Sequence, residues 1–285
     1  MDLSIISKEI RDLLEQRRKE LELSFVEKEH IYYMKDTDGI LKKNFPSVSK
    51  VIKKFYTPFD AETKALQMSR GDVDAQQKLL AEWKASGDYS TNMGSRVHYV
   101  LETDTIERFG KYKEVREPIF TCDDNQIIKS DNMIIAGKKY LDLMEQRGGI
   151  LLDTESILGD NEFGYTGQPD KIWLMMNKDK TDFGFVITDW KTNQPKNFEI
   201  QRYTERLHPP FHQYHDTALG HYYIQLPLYA KLLIKMLKGT KYDKTPLLGC
   251  VIVLLKDDST YQEYKIPPDV NTKILNMDIS KYTKK

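Results

Sequence analysis

Apolar residues recur along this chain at two spacings, and the switches between them divide it into elements. Ile6, Ile10, Leu13, Leu14 and Leu21 lie at helical spacing with charges between them. That predicts an amphipathic helix over residues 4 to 23, packed on a core rather than held out for a partner. His30 to Met34 reads as a strand entering the turn Asp36-Thr37-Asp38-Gly39, with Ile40-Leu41 starting the return. Val48, Val51, Ile52 and Phe55 predict a helix opened by Pro46-Ser47, with Ser47 at the N-cap. Residues 58 to 92 are polar and broken by Gly71 and Gly87, and are expected to form helices over a cleft, as an arch or lid. A helix is expected from Gly94-Ser95 to about Phe109, and another over 131 to 147, ended by Gly148-Gly149.

Strand spacing takes over at Leu151. Leu151 to Leu158 reads as a first core strand with Glu155 in its middle, and Gly159 to Gly164 as a turn. Ile172 to Met176 and Phe183 to Ile187, joined by the polar run 177 to 182, read as a β-hairpin. Tyr222, Gln225, Leu226, Tyr229, Leu232, Leu233 and Met236 mark a helix from Ala218, kinked by Pro227 and ended by Gly239. Leu247 to Leu255 is an unbroken apolar run, a strand buried on both faces, followed by a partly exposed one at Tyr261 to Ile266 and a tail or terminal helix from Asn271. The order helix, three antiparallel strands, helix, strand predicts an α/β core with a central mixed sheet flanked by helices. An N-terminal lobe of helices and a hairpin (1–92) would cover a core over 93–285, or the two would form one continuous domain.

Composition changes this picture little. Of 285 residues 40% are hydrophobic and 30% charged, enough apolar mass to fill a core. The 43 basic and 43 acidic residues cancel, which counts modestly against a nucleic-acid partner and predicts weak non-specific affinity for DNA. Cys122 and Cys250 cannot make a disulfide framework. No apolar run approaches the ~20 residues of a membrane span, and the first twenty residues lack the apolar core of a signal peptide. An intracellular, cytoplasmic setting is expected, the host cytoplasm if the source is viral.

The candidate chemistry lies at the strand ends. Asp189 and Lys191 share the face of Phe185 and Ile187, so a buried apolar strand turns charged at its end, near Asp170 of Gly167-Gln168-Pro169-Asp170. Buried charges need partners, and two convergent carboxylates suit Mg²⁺ or Mn²⁺. Such a cation draws charge from a scissile phosphate and activates a water, while a lysine two residues on orients that water or offsets charge on the phosphate. The bland alternative is a surface Asp189–Lys191 salt bridge with Asp170 as a turn residue. Gly167 would let the backbone approach the metal or substrate. Ser47 and Ser49, with Lys50, Lys53 and Lys54, either cap a helix with a solvated basic face or hold a DNA phosphate. The long segment Asn193 to Asp216 carries Lys196, Arg202, Arg206, Phe198, Tyr203, Phe211 and Tyr214, a mix that suits single-stranded nucleic acid. His208, His212, His215 and His221 lack the cysteine pair of a zinc site.

Further pieces stand in a fixed order: Gly94 with Ser95, His98 and Glu102; Glu155; Gly167 with Asp170; Asp189-Trp190-Lys191-Thr192; and Gln225 with Tyr229. In this order the sequence resembles the PD-(D/E)XK nucleases, specifically the RecB-like exonuclease branch with its mitochondrial and phage-encoded members. The resemblance covers roughly residues 90 to 256, with a weaker match at Phe45-Pro46-Ser47-Val48-Ser49. It implies a restriction-endonuclease-like core and a Mg²⁺- or Mn²⁺-dependent deoxyribonuclease acting on single-stranded or frayed DNA ends, alongside replication or recombination proteins. Asp170 and Asp189 would be primary metal ligands with the Trp190 carbonyl as a third, and Lys191 would position the water. His98 and Glu155 would support the metal, and Gln225 and Tyr229 would orient Lys191 or the substrate. With two cysteines, the four-cysteine iron–sulfur cluster of some relatives is not expected. Two rival readings are a structure-specific endonuclease of the same fold and a catalytically silent nucleic-acid-binding subunit.

Overall fold

A computed structural model of the chain describes residues 2–198 and 205–283, with only the backbone of Lys196 and Asn197. The first helix, α1 (Leu3–Glu20), starts at Asp2, whose carboxylate accepts the Ser4 amide at 2.9 Å, and ends on Arg17, Arg18 and Lys19, which suit the carbonyl end of a helix. Ile10 and Leu14 on its apolar face are fully buried. The strands β1 (Ser24–Val26), β2 (Ile31–Lys35) and β3 (Leu41–Lys43) form a small antiparallel sheet, with a 3-10 turn at Glu27–Glu29. Next come α2 (Val48–Ile52), which runs into a 3-10 turn at Lys53–Phe55, α3 (Ala61–Met68) and α4 (Val73–Arg108).

Two helix starts differ from the sequence reading. Gly94-Ser95 does not open a helix: it lies well inside the 36-residue α4. A glycine costs a helix interior only about 1 kcal/mol, and here a Cβ would come within 3.1 Å of the Thr192 hydroxyl, so glycine lets α4 pass close to the end of a core strand. The position 92/93 therefore falls within one helix. α5 (Asp124–Gln146) begins earlier than residue 131, at a reciprocal capping box between Asp123 and Gln126.

The central sheet is built from β4 (Ile150–Thr154), β7 (Lys171–Met176), β8 (Phe183–Lys191), β9 (Leu247–Leu255) and β10 (Tyr261–Lys265), in the order β10-β9-β8-β7-β4. All neighbours are antiparallel except β8 and β9, which are parallel. A parallel pair needs a crossover, and it contains α6 (Pro195–Phe198) and α7 (Ala218–Met236). The helices α8 (Pro268–Asn276) and α9 (Ser280–Thr283) close the described chain. Alternation along the strands feeds two cores. Phe185, Ile187, Ile252 and Leu254 pack with α1, α2, α7 and α8, while Trp173, Trp190, Val253 and Leu255 pack with α4 and α5. The result is a mixed α/β fold with a mixed central sheet flanked by helices. Among the described residues no helix is long and apolar enough to cross a membrane.

Leu151 to Leu158 is not one strand. The chain leaves the sheet at Glu155, whose backbone is left-handed at φ 44°, and resumes as the separate hairpin of β5 (Leu158–Asp160) and β6 (Tyr165–Gly167). The Glu155 amide donates to the Asp170 carbonyl at 3.0 Å. Glu155 is therefore not in the middle of a strand but at the corner between sheet and hairpin.

Candidate metal centre

Asp170 immediately precedes β7 and Asp189 lies near the end of β8, on the sheet face that packs against α7. The pairing of Lys171 with Thr188 makes the two aspartates neighbours on adjacent strands. Both are almost wholly buried, 5% and 2% exposed. The Trp190 amide donates to Asp170 Oδ2, which leaves Oδ1 facing His98 from α4: Nδ1 lies 3.2 Å from Asp170 Oδ1 and 3.6 Å from Glu155 Oε1. His98, Glu155 and Asp170 offer donor atoms that all lie within 4.8 Å of one another, a group that can hold a metal ion.

All three belong to the expected ligand set. Asp189, expected with Asp170 as a primary ligand, lies outside this trio and is in short contact with the ammonium of Lys191. His98 and Glu155, expected as supports, stand in the closest group. Trp190 enters through its backbone amide, as a donor to Asp170.

The charges explain one another. Burial works to lower the His98 pKa, but Asp170 and Glu155 outweigh it and hold the imidazole up at about 10. Burial works to raise Asp170, yet His98, Lys191 and Lys171 bring it down to about 2. Glu155 is pushed up by burial and by Asp170. Asp189 rises to about 6 for the same two reasons, against the pull of Lys191. Burial disfavours the charge on Lys191, but Asp189, Tyr222 and Asp170 more than restore it, so the lysine is a cation at neutral pH. Its Nζ lies 4.4 Å from the Tyr222 ring centroid.

Several cations around the site carried no sequence signal. Arg116, in the connector between α4 and α5, donates to Glu102 Oε2 from Nε at 3.0 Å and from Nη2 at 2.7 Å, and to Glu27 Oε1 at 2.9 Å. It also lies 3.7 Å from Glu155 Oε2. Lys113 donates to the Thr154 carbonyl at 2.5 Å and stands 3.6 Å from the fully buried Glu102. Lys171 is buried, held down in pKa by that burial, and donates to Thr154 Oγ1 at 2.6 Å. Glu102, expected near His98, thus anchors the connector. Irregular connectors have no period, so only their charge marks them in sequence.

Gln225 Nε2 donates to the Tyr229 hydroxyl at 2.8 Å, one turn on along α7, while Gln225 Oε1 is buried without a hydrogen-bond partner. Gly167 was expected to admit metal or substrate. A Cβ there would meet the Tyr229 ring and Val48 Cγ2 at 2.7 Å, and the glycine lines a cavity beside Glu155. Ser47 holds the N-cap position of α2 without a side-chain cap bond.

Two cavities flank Glu155. One of about 300 Å³ is lined by Ser95, His98, Tyr99, Arg116, Phe120 and Glu155 among others. The other, about 240 Å³, is lined by residues including Phe25, Tyr32, Ser47, Ser49, Gln168 and Tyr229. Neither is lined by residues 58 to 92, the expected lid; the 116–120 connector contributes to both. Lys53 sits exposed in the 3-10 turn after α2. Arg206 is exposed and donates to the Gln213 carbonyl at 3.0 Å. Arg202 and Tyr203 lie outside the described residues, as does the side chain of Lys196. Phe198 and Phe211, expected to stack on bases, are fully buried in the core, and the Tyr214 hydroxyl is bound to Asp269 at 2.7 Å. His208 contacts Thr57, and His221 pairs with Asp216.

No protein-family model matches this sequence, and the curated proteins contain no match to it.

Proposed function

We propose that this chain is a metal-dependent nuclease of the PD-(D/E)XK superfamily that hydrolyses DNA phosphodiester bonds, acting as an exonuclease on single-stranded or frayed ends in replication, recombination or repair. The observation that carries the reading is the convergence of His98, Glu155 and Asp170 from three separate elements, beside a buried Asp189 whose lysine partner is charged. Three donors gathered at such cost in desolvation fit a divalent cation, which offsets the carboxylate charge. Carboxylate oxygens suit Mg²⁺, and the imidazole nitrogen makes the set well matched to Mn²⁺ too. When bound, the cation supplies Lewis-acid stabilisation of phosphate charge and an acidified water.

The remaining work belongs to the chain. Asp170 Oδ1, Glu155 Oε1 and His98 Nδ1 are the atoms that would hold the ion, the imidazole giving up its Nδ1 proton on binding, with Asp170 fixed through the Trp190 amide. Lys191, kept cationic by Asp189, is no general base. It donates to a phosphate oxygen where negative charge builds, a role that a preorganised donor in a dry site performs well. Gln225 and Tyr229 brace the α7 side of that face.

The test uses end-labelled single-stranded DNA, linear and circular, with Mg²⁺ or Mn²⁺. The parent protein is expected to degrade the linear strand and spare the circle, and Asp170→Asn and Lys191→Met to lose activity by ~100-fold or more. Equal cleavage by parent and Asp170→Asn would remove the metal reading, and cutting of the circle would replace exonuclease with endonuclease.

A further inference from the structure

The cavity on the far side of Glu155 has an aromatic wall that the chemistry above leaves unused. Phe25 and Tyr32 are cross-strand partners in β1 and β2, with rings stacked at 4.4 Å between centroids and 28° between planes. His30 has a left-handed backbone at φ 52° and presents its ring edge-on to Phe25 at 5.2 Å. Cross-strand pairing accounts for the stack, but not for the open space of about 240 Å³ that these three rings face. Tyr32 is buried, Phe25 half-buried and His30 exposed, so the wall is apolar below and accessible at its rim.

The opposite side is polar. Ser47 is 6% exposed and its hydroxyl makes no cap bond, although the residue stands at the start of α2. Gln168 donates from Nε2 to Glu155 Oε2 at 3.1 Å. Both line this cavity, and so does Glu155, which also belongs to the metal-holding trio. A ligand filling the space would therefore touch rings on one side and hydrogen-bonding groups on the other, close to the trio that would hold the metal.

We infer that this cavity is a nucleobase subsite, in which the unpaired base next to the scissile phosphate stacks on Phe25, flanked by the edge-on ring of His30, while its polar edge meets Ser47 and Gln168. The inference rests on the nuclease reading and deepens it by naming what selects the substrate. A base offers a π face and a polar edge, the two surfaces this cavity presents, and stacking tolerates any base. A base inside a duplex has both faces covered and its edge paired, so it cannot enter without being unpaired. Selection of single-stranded ends then follows from the subsite rather than from net charge, which is zero in this chain.

The experiment is an abasic scan. Single-stranded oligonucleotides carrying one abasic site at each of the terminal positions, from either end in turn, are titrated against the full chain with Ca²⁺ in place of Mg²⁺, and binding is read by fluorescence anisotropy. Removing the base at one or two adjacent positions should weaken binding about 5- to 100-fold, the range of a single base–aromatic stack. That position dependence should vanish in Phe25→Leu and persist in Phe25→Tyr, which keeps the ring and so separates stacking from folding. A flat scan for the parent protein, or one that Phe25→Leu leaves unchanged, overturns the subsite while cleavage of the same strands keeps the nuclease reading. Absence of both binding and cleavage overturns the two together.

Discussion

Glu155 shows how much a single backbone angle decides. Its left-handed φ turns the chain out of the sheet and leaves the carboxylate beside His98 and Asp170 instead of on an alternating strand face. Glu155→Gln removes one charge from that group. A ligand that binds only the folded state at a hundred times its dissociation constant stabilises by about 2.7 kcal/mol, so Mn²⁺ should raise the thermal midpoint of the parent protein and raise that of Glu155→Gln much less. His221 offers a separate test away from the metal group. Its ring stacks on Tyr56 at 3.7 Å, and burial holds its pKa below the ordinary value against the opposing Asp216. With the folded value depressed, the unfolded chain takes up the proton first, so stability falls as pH drops below about 6.5 and levels off below the folded value. His221→Phe should lose part of the decline in urea midpoint between pH 7 and pH 5 that the parent shows.

Among the elements, the connector between α4 and α5 has the most bearing on the site although it has no regular structure. Arg116 joins Glu102 of α4 to Glu27 after β1 and reaches toward Glu155, so one guanidinium ties the small sheet, the long helix and the strand corner together. Glu102 is fully buried, and breaking a buried pair from one side leaves an uncompensated charge. Arg116→Gln is expected to cost about 3 kcal/mol, read as a lower urea midpoint, whereas Glu27→Gln, which removes the outer, half-exposed partner, should cost under about 1 kcal/mol. Equal losses in the two variants would show that the connector is not anchored through Glu102.

For the whole molecule, the shared core matters more than the division of the sequence into lobe and core. Ile10 and Leu14 of α1 pack in one cluster with Leu152, Ile187 and Ile252 of the sheet, and α4 carries the chain across residues 92 and 93 without a break. Ile10→Ala, at a fully buried position, should therefore destabilise the entire protein by about 2 to 5 kcal/mol, in a single urea transition seen alike by tryptophan fluorescence and far-ultraviolet circular dichroism. Two separated transitions, with only the first shifted, would mean that α1 belongs to an independently folding lobe.

Hydrophobic spacing alone determined the regular framework: α1, the hairpin of β7 and β8, α7, and β9, which is buried on both faces only over Ile252–Leu255 while Leu248 is exposed. α1 and α7 place apolar side chains at helical spacing, while the short apolar runs of β7, β8 and β9, bounded by polar turns, are too short for helices. It also determined that Asp189 and Lys191 share a face, because strand alternation leaves no choice. Tertiary structure decided where that regularity stops and what meets across the gaps. The start of α4 was hidden because one glycine is a weak break against a helix with cooperative hydrogen bonds. Phe198 and Phe211 looked like solvent-facing rings in a polar segment, yet burial depends on what folds over them and not on their neighbours in the chain. The contacts of Lys113 and Arg116, and the meeting of His98 and Glu155 with Asp170, depend on distances between segments far apart in sequence, which local spacing does not encode.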